Sequence, residues 1–442
     1  MSDVVTKLSE HADAPKWNHA TSDHLTDTDR EALTGFAESL ASERRAHGAM
    51  PSPELVGRLC ALWPHVPRWR SMLPTGFDLQ RDWAAIPTSS RADLALHPET
   101  MFPDTADLSS LIVYCTAGTT GHTLRVPHAA RAAAAYQPLI AQALVLHGVT
   151  WAPGANDIAA FNVGAQLHTV TYPTTLSFWG GAGFAKVNLR DWTANGRPER
   201  YFADMAPMLL TGDPISFSEM LRMGIPARPV AMVSTAVAMS RVLREKLSAA
   251  YGCPVIDWYS LTETGPIGYL CRIGEGYHVL PHDIGVEILG VSGEPLREGQ
   301  RGEVTVSGGR NPFLPMLRYR TGDYGHLDNS TCACGDPTPR LCDLEGRVPV
   351  MMRAADGSFV NPVDFSRILR AFPFVQHELT QRADGSCELV VRPLAPFDEA
   401  ALRVAMAAVL GAVPLQVRID RELGNRTDGK VMPYRSEWKL ED

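Results

Sequence analysis

Apolar positions change their spacing several times along the chain, and each spacing predicts a different element. Over residues 25–45, Leu33, Phe36 and Leu40 recur three to four apart among polar neighbours, the period of an amphipathic helix. Residues 54–63 continue in that style. The first hundred residues therefore read as mostly helical, ending in the polar stretch Pro87-Thr88-Ser89-Ser90-Arg91. Residues 111–115 are a short unbroken apolar run, which reads as a buried strand, and residues 124–127 read as a second. The alanine run at 129–135 opens a helix. Between 230 and 310 a helix near 236–250 is followed by strands near 254–258, 284–289 and 302–307. Alternation of this kind predicts an α/β class.

The last hundred residues change texture again. Residues 386–392 suit a strand, Asp398 is placed to cap a helix over 399–410, and residues 415–419 alternate like a half-buried strand. A small α+β domain results, with its boundary near Gly346-Arg347. The organisation expected is a large domain over 1–346 and a small one over 347–442.

Composition narrows the function classes. The chain has 442 residues, two or three domains at about 150 residues each. Its formal charge of −8 argues against a nucleic-acid or anionic-membrane binder, since both require a basic face. No apolar stretch reaches the ~18 residues of a spanning helix, and the first 25 residues carry no apolar signal core, so a cytoplasmic protein is expected. The eight cysteines are expected to be thiols there. Cys332, Cys334 and Cys342 crowd together, which points to metal rather than disulfides.

Between the two predicted strands lies Thr116-Ala117-Gly118-Thr119-Thr120-Gly121-His122-Thr123. Glycine lets backbone approach a phosphate, and hydroxyls with free amides supply donors without formal charge. The segment lacks the Gly-Lys-Ser/Thr ending of a Walker loop, and a polar hairpin turn has the same composition. Four further segments follow in order: Trp258-Tyr259-Ser260-Leu261-Thr262-Glu263, Arg318-Tyr319-Arg320-Thr321-Gly322-Asp323, Gly346-Arg347 and Asn425-Arg426-Thr427-Asp428-Gly429-Lys430. Together they resemble the motifs of the adenylate-forming superfamily (acyl- and aryl-CoA synthetases, adenylation domains and luciferases). The resemblance runs from about residue 20 to the end. The short length, the Pro-Thr-Ser-Ser-Arg-Ala-Asp-Leu segment and the Cys-x-Cys-Gly element look most like the phenylacetate–CoA ligase branch.

The resemblance implies a large adenylate-forming domain with mixed sheets and flanking helices, plus a mobile small domain. The chemistry implied is ATP-dependent conversion of a carboxylic acid to an acyl adenylate, then transfer to coenzyme A. By the same resemblance Lys430 is the catalytic lysine, Glu263 the magnesium ligand and Thr262 a partner of the α-phosphate. Thr116, Gly118, Thr119, Thr120 and Gly121 would hold phosphates, Tyr259 and Ser260 the adenine side, and Asp323 and Arg347 the ribose or phosphate. Phe161, Tyr172, Phe178, Trp179 and Phe184, with His168 and Gly265, would line a pocket for an aromatic or small organic acid; ordinary core packing is the other reading of these rings. Cys271, His278, Cys332 and Cys334 form a Cys3His set suited to structural zinc, with Cys342 as the competing fourth ligand.

Departures from the family pattern stand at His122, where relatives carry lysine, at Ser234-Thr235-Ala236, and at Pro349 beyond the hinge. Pro349, Ser234-Thr235-Ala236 and the unusual 161–184 segment keep a carrier-protein thiol or an amine open as the acceptor, and His122 makes the loop's charge pH-dependent. A non-catalytic nucleotide-binding relative and a homodimer also stay open.

Overall fold

The computed structural model describes residues 3–42, 51–107, 109, 111–116, 124–165, 169–190, 192, 196–236, 238–273, 276–280, 282–346, 352–357, 359–360, 365, 368–369, 371–423 and 434–437. The chain divides into two compact units, each discontinuous in sequence. The first comprises residues 1–23, 151–257 and 349–442; the second comprises 24–150 and 258–348.

In the first unit a mostly parallel sheet runs Tyr172–Leu176, Ala182–Asn188, Ile158–Gly164, Leu209–Gly212, Ala231–Ser234, then residues 255–257. Only the edge strand Tyr172–Leu176 is antiparallel to its neighbour. Parallel strands covered on both faces read as near-continuous apolar runs, and Ile158–Gly164 does. Phe161, Val163, Ala185, Val187, Leu210 and Met232 meet Tyr201, Phe202, Phe217 and Leu243 from the flanking helices in one core. The C-terminal residues form a sheet in the order Leu415–Ile419, Cys387–Pro393, Phe374–Gln381, Tyr434–Ser436. The helix Glu399–Leu410 covers it through Leu402, Met406 and Leu410. Asp398 caps that helix by accepting from Ala401 N–H at 3.0 Å, as its position predicts.

The second unit carries helices Asp27–Ser42, Pro53–Leu62, Pro67–Met72, Arg91–Leu96, Ala130–Ala134 and Tyr136–Leu146. Its antiparallel sheet runs Ile284–Leu289, Gly302–Gly308, Met316–Asp328, Arg340–Gly346, Tyr277–Val279, Gly265–Leu270, then residues 258–261. Ser89–Ser90 adds a short parallel pairing to Tyr319 and Arg320. A separate hairpin joins Ile112–Thr116 to Leu124–His128.

The mixed α/β expectation agrees with this architecture, with local shifts. The helix expected from 236 begins at Arg241. Ala236 sits at φ 73°, outside helical geometry, and Ser240 supplies the cap by accepting from Leu243 N–H. The strand expected to stop at 258 runs to Leu261 because Trp258–Leu261 pair with Gly265–Tyr269.

Candidate active site

The carboxylate centre lies within the second unit. The strand Val255–Leu261 ends at a tight turn, and Gly265 reopens the chain at φ 72°, a region glycine enters without Cβ cost. Thr262 and Glu263 ride on that turn. Glu263 is 3% exposed. Tyr319 OH donates to Glu263 Oε1 at 2.8 Å, and Arg91 Nη1 stands 3.5 Å from the same oxygen. His128 Nε2 lies 2.8 Å from the Thr262 carbonyl, which can only accept, so Nε2 carries the proton.

Asp323 sits on the long strand Met316–Asp328. Its carboxylate accepts from Tyr259 OH at 2.8 Å, and its backbone N–H donates to Thr321 Oγ1 at 3.1 Å. The two motifs are therefore cross-connected. The tyrosine of each donates to the carboxylate of the other. Burial and the adjoining carboxylates hold both phenols well above their ordinary pKa, so both remain donors at neutral pH. Tyr136 is pushed up to about 12 by burial, a shift its hydrogen bond with Ser260 opposes. Burial lowers His128 and keeps its imidazole neutral, with Glu263 pulling the other way.

Buried cations lock this frame. Arg318 has φ 45° and is 2% exposed, yet its guanidinium is well supplied with acceptors. It donates to Glu287 Oε1 and to the carbonyls of Ala84, Ile86 and Gly293. Trp83 Nε1–H donates to the other Glu287 oxygen at 2.8 Å. Arg310 donates to three carbonyls, of Pro266, Leu280 and His282, and burial brings it down to about 10.

Other expected residues fall outside the described ones: Gly118, Thr119, Thr120, Gly121, His122, His168, Arg347, Pro349 and Lys430. Thr116 ends the first hairpin strand, so the Thr/Gly segment joins two paired strands. The pocket aromatics, all in the first unit, do not form one cluster. Phe161 is 0% exposed and stacks on Tyr201 at 5.7 Å with Phe202 edge-on at 5.2 Å. Its place on a strand buried on both faces makes it core, which corrects its expected role in a substrate pocket. Phe178 and Trp179 meet each other at 4.9 Å, and Trp179 meets Trp151 at 5.2 Å. Tyr172 and Phe184 form a separate pair at 6.3 Å.

The four sulfur and nitrogen donors expected to bind metal do converge. The ligand atoms of Cys271, His278, Cys332 and Cys334 all lie within 4.8 Å of one another. Cys271 Sγ and Cys332 Sγ are 3.6 Å apart, and Cys334 Sγ and His278 Nε2 are 3.1 Å apart. Tetrahedral zinc with Zn–S of about 2.3 Å would set sulfurs about 3.8 Å apart, so the set fits. His278 Nδ1 lies 3.1 Å from the Thr338 carbonyl, which fixes the proton on Nδ1 and turns the Nε2 lone pair toward the thiols. Asp336 N–H donates to Cys334 Sγ at 3.3 Å. Gly335, at φ 88°, makes the turn between them. Burial pushes the Cys271 thiol up to about 12. Cys342 is not in the converging set.

No family model matches the chain. A phenylacetate–coenzyme A ligase of Thermus thermophilus is 25% identical over 377 residues, covering 80% of each chain. A 2-hydroxyisobutyryl-CoA ligase, solved in its postadenylation state in complex with R3-HIB-AMP, superposes at TM-score 0.61. It is 19% identical and covers 88% of this chain and 91% of its own. ATP-bound MatB from Rhodopseudomonas palustris superposes at TM-score 0.50, is 17% identical, and covers 97% of this chain and 96% of its own. Over most of its length the chain is similar to a phenylacetate–CoA ligase, and it shares the fold of a CoA ligase.

In this chain the motif spacing marks the carboxylates and thiols but not their partners. Tyr319 and Arg91 lie inside segments already quoted for their family pattern, where only Asp323 had been given a role. His128 ends the strand that follows the Thr/Gly segment, and Asp336 and Thr338 follow Cys-x-Cys-Gly. Polar residues flanking a motif by a few positions were the available signal.

Proposed function

We propose that this chain is an adenylate-forming acid–thiol ligase of the phenylacetate–CoA ligase branch, which activates a small or aromatic carboxylic acid with ATP and transfers the acyl group to coenzyme A. In the first half-reaction a carboxylate oxygen attacks the α-phosphorus and pyrophosphate leaves. In the second, the thiol attacks the acyl carbonyl and AMP leaves. The observation carrying this reading is the buried Glu263 and Asp323 pair, each held by the other motif's tyrosine. Bringing two anions together makes charge neutralisation the main requirement.

Within the reading, Asp323 receives the ribose hydroxyls, a fit for a carboxylate acceptor. Because Tyr259 is buried and its hydroxyl donates to Asp323, that ring fixes the acceptor besides bordering adenine. Thr262 addresses the α-phosphate, and its turn is held by His128. Thr116, Gly118, Thr119, Thr120 and Gly121 would embrace the phosphates, and Arg347 the ribose or phosphate. Glu263 would hold magnesium, which supplies charge neutralisation for the triphosphate when bound. Lys430 would place its ammonium between carboxylate and α-phosphate as charge develops. Residues 347–442 would swing between half-reactions. Cys271, His278, Cys332 and Cys334 would hold structural zinc, closed to substrate.

A second reading keeps the adenylation and ends on a carrier thiol or an amine. Pro349 beyond the hinge and the Ser234-Thr235-Ala236 segment, with Ala236 at φ 73°, favour it. Pyrophosphate release across a panel of acids, with mass detection of products when each acceptor is offered in turn, decides between them. Acyl-CoA is the expected product. Accumulation of acyl-AMP alone with CoA present would exclude the first reading.

A further inference from the structure

The Glu263 carboxylate is asymmetric in its surroundings. Tyr319 donates to Oε1 at 2.8 Å, and Arg91 stands nearest to that same oxygen at 3.5 Å. Among the described residues none donates a hydrogen bond to Oε2. The turn bearing the side chain is tied separately, by His128 Nε2–H to the Thr262 carbonyl at 2.8 Å. Tyr319 is 0% exposed, and its ring packs with Leu94, Met101, Leu124 and Met316. His128 is 5% exposed with the Tyr114 ring edge-on at 5.0 Å. Neither side chain has room to turn, so each fixes its contact in space. A carboxylate on a free turn would sample both oxygens and several rotamers. Here the backbone is pinned from one side and one oxygen from the other.

We infer that Tyr319 and His128 are positioning residues for the cation site: Tyr319 occupies Oε1, His128 fixes the turn, and Oε2 is the oxygen presented to magnesium. The inference rests on the reading of Glu263 as the magnesium ligand. A hard cation of small radius demands closely set ligand positions, so a loosened carboxylate loses affinity for it. Charge-assisted hydrogen bonds of this kind are strong enough that removing one shifts binding by about tenfold or more. The opposite result is also physically available. Were both oxygens wanted by the metal, removing the tyrosine hydroxyl would tighten binding.

The test is the magnesium midpoint for binding a nonhydrolysable ATP analogue, followed by tryptophan fluorescence or calorimetry, with no turnover required. Four variants are compared with the parent: Glu263→Gln, Tyr319→Phe, His128→Ala and His128→Gln. Glu263→Gln and Tyr319→Phe are expected to raise the midpoint, the latter by about tenfold. His128→Ala is expected to raise it by about as much. His128→Gln is expected to restore it, because the glutamine amide offers an N–H where the imidazole Nε2–H stands. An unchanged or lowered midpoint in Tyr319→Phe and His128→Ala, with Glu263→Gln still raised, overturns this inference and leaves the proposed function standing. An unchanged midpoint in Glu263→Gln overturns both.

Discussion

Two polar centres of the second unit are built on opposite logics. At the carboxylate centre each anion is met by protein donors: Tyr319 for Glu263, Tyr259 for Asp323, and Arg318 for Glu287 in the supporting strand. At the thiol centre four electron-pair donors face one another, with His278 Nε2 turned inward by the Thr338 carbonyl behind it. The first arrangement is organised by the chain alone and is suited to receive a ligand in passing. The second brings together four donor atoms within 4.8 Å of one another, a set whose chemistry suits a tightly held cation. A fold can thus spend buried polar groups on chemistry in one place and on architecture in another, and perturbing each should have a different signature.

The largest difference is expected from Lys430→Ala. Adenylation should fall by several orders of magnitude while thermal stability and zinc content stay at parent values, since on the proposed reading the change removes transition-state charge. Pyrophosphate release beside calorimetric melting checks this. Arg318→Met should do the reverse. It leaves Glu287 buried without its cation, which costs about 3–5 kcal/mol of stability, read as a lower denaturation midpoint. Activity per folded molecule should change far less than stability.

These contrasts also mark what the chain's pattern made legible. Strands with clear alternation or continuous apolar runs stand where expected: Ile284–Leu289, Gly302–Gly308 and Leu415–Ile419. The long strand Met316–Asp328 went unread because Gly322, Asp323 and Gly325, residue types depleted in strands, interrupt it, although its burial alternates from Tyr319 onward. Phe161 was misjudged because an apolar run gives no sign of whether it faces a pocket or a core. Glu263 and Asp323 were visible through motif spacing. Their partners were not, since Tyr319 lies 56 residues from Glu263 and His128 lies 134 from Thr262. Tertiary pairing at that separation leaves no local trace.

A smaller effect sharpens the other half of the comparison. Cys334→Ser should lower zinc content below one per chain and reduce the melting temperature by several degrees, with adenylation per folded molecule nearly kept. Metal analysis of protein purified without added metal reads the first, and scanning calorimetry the second. Loss of activity without loss of stability would mean the thiol centre is not architectural.

The smallest effect concerns alkaline pH. Burial holds Cys253 and Cys387 at about 11 against an ordinary 9.0, and Tyr136 at about 12 against 10.0. The folded chain therefore binds these protons more tightly than the unfolded chain. Their contribution is fully present below pH 9 and is lost as pH rises through 11 and 12. Denaturant midpoints should fall over that window, and Cys253→Ala should blunt the fall.

Acid-dependent exchange of pyrophosphate into ATP, measured across a panel of carboxylic acids for the parent and for Glu263→Gln, tests the central claim most directly. The account predicts exchange that requires both magnesium and a cognate acid, and a loss of roughly 100- to 1000-fold in the variant. Exchange that needs no acid, or that Glu263→Gln leaves intact, would contradict it.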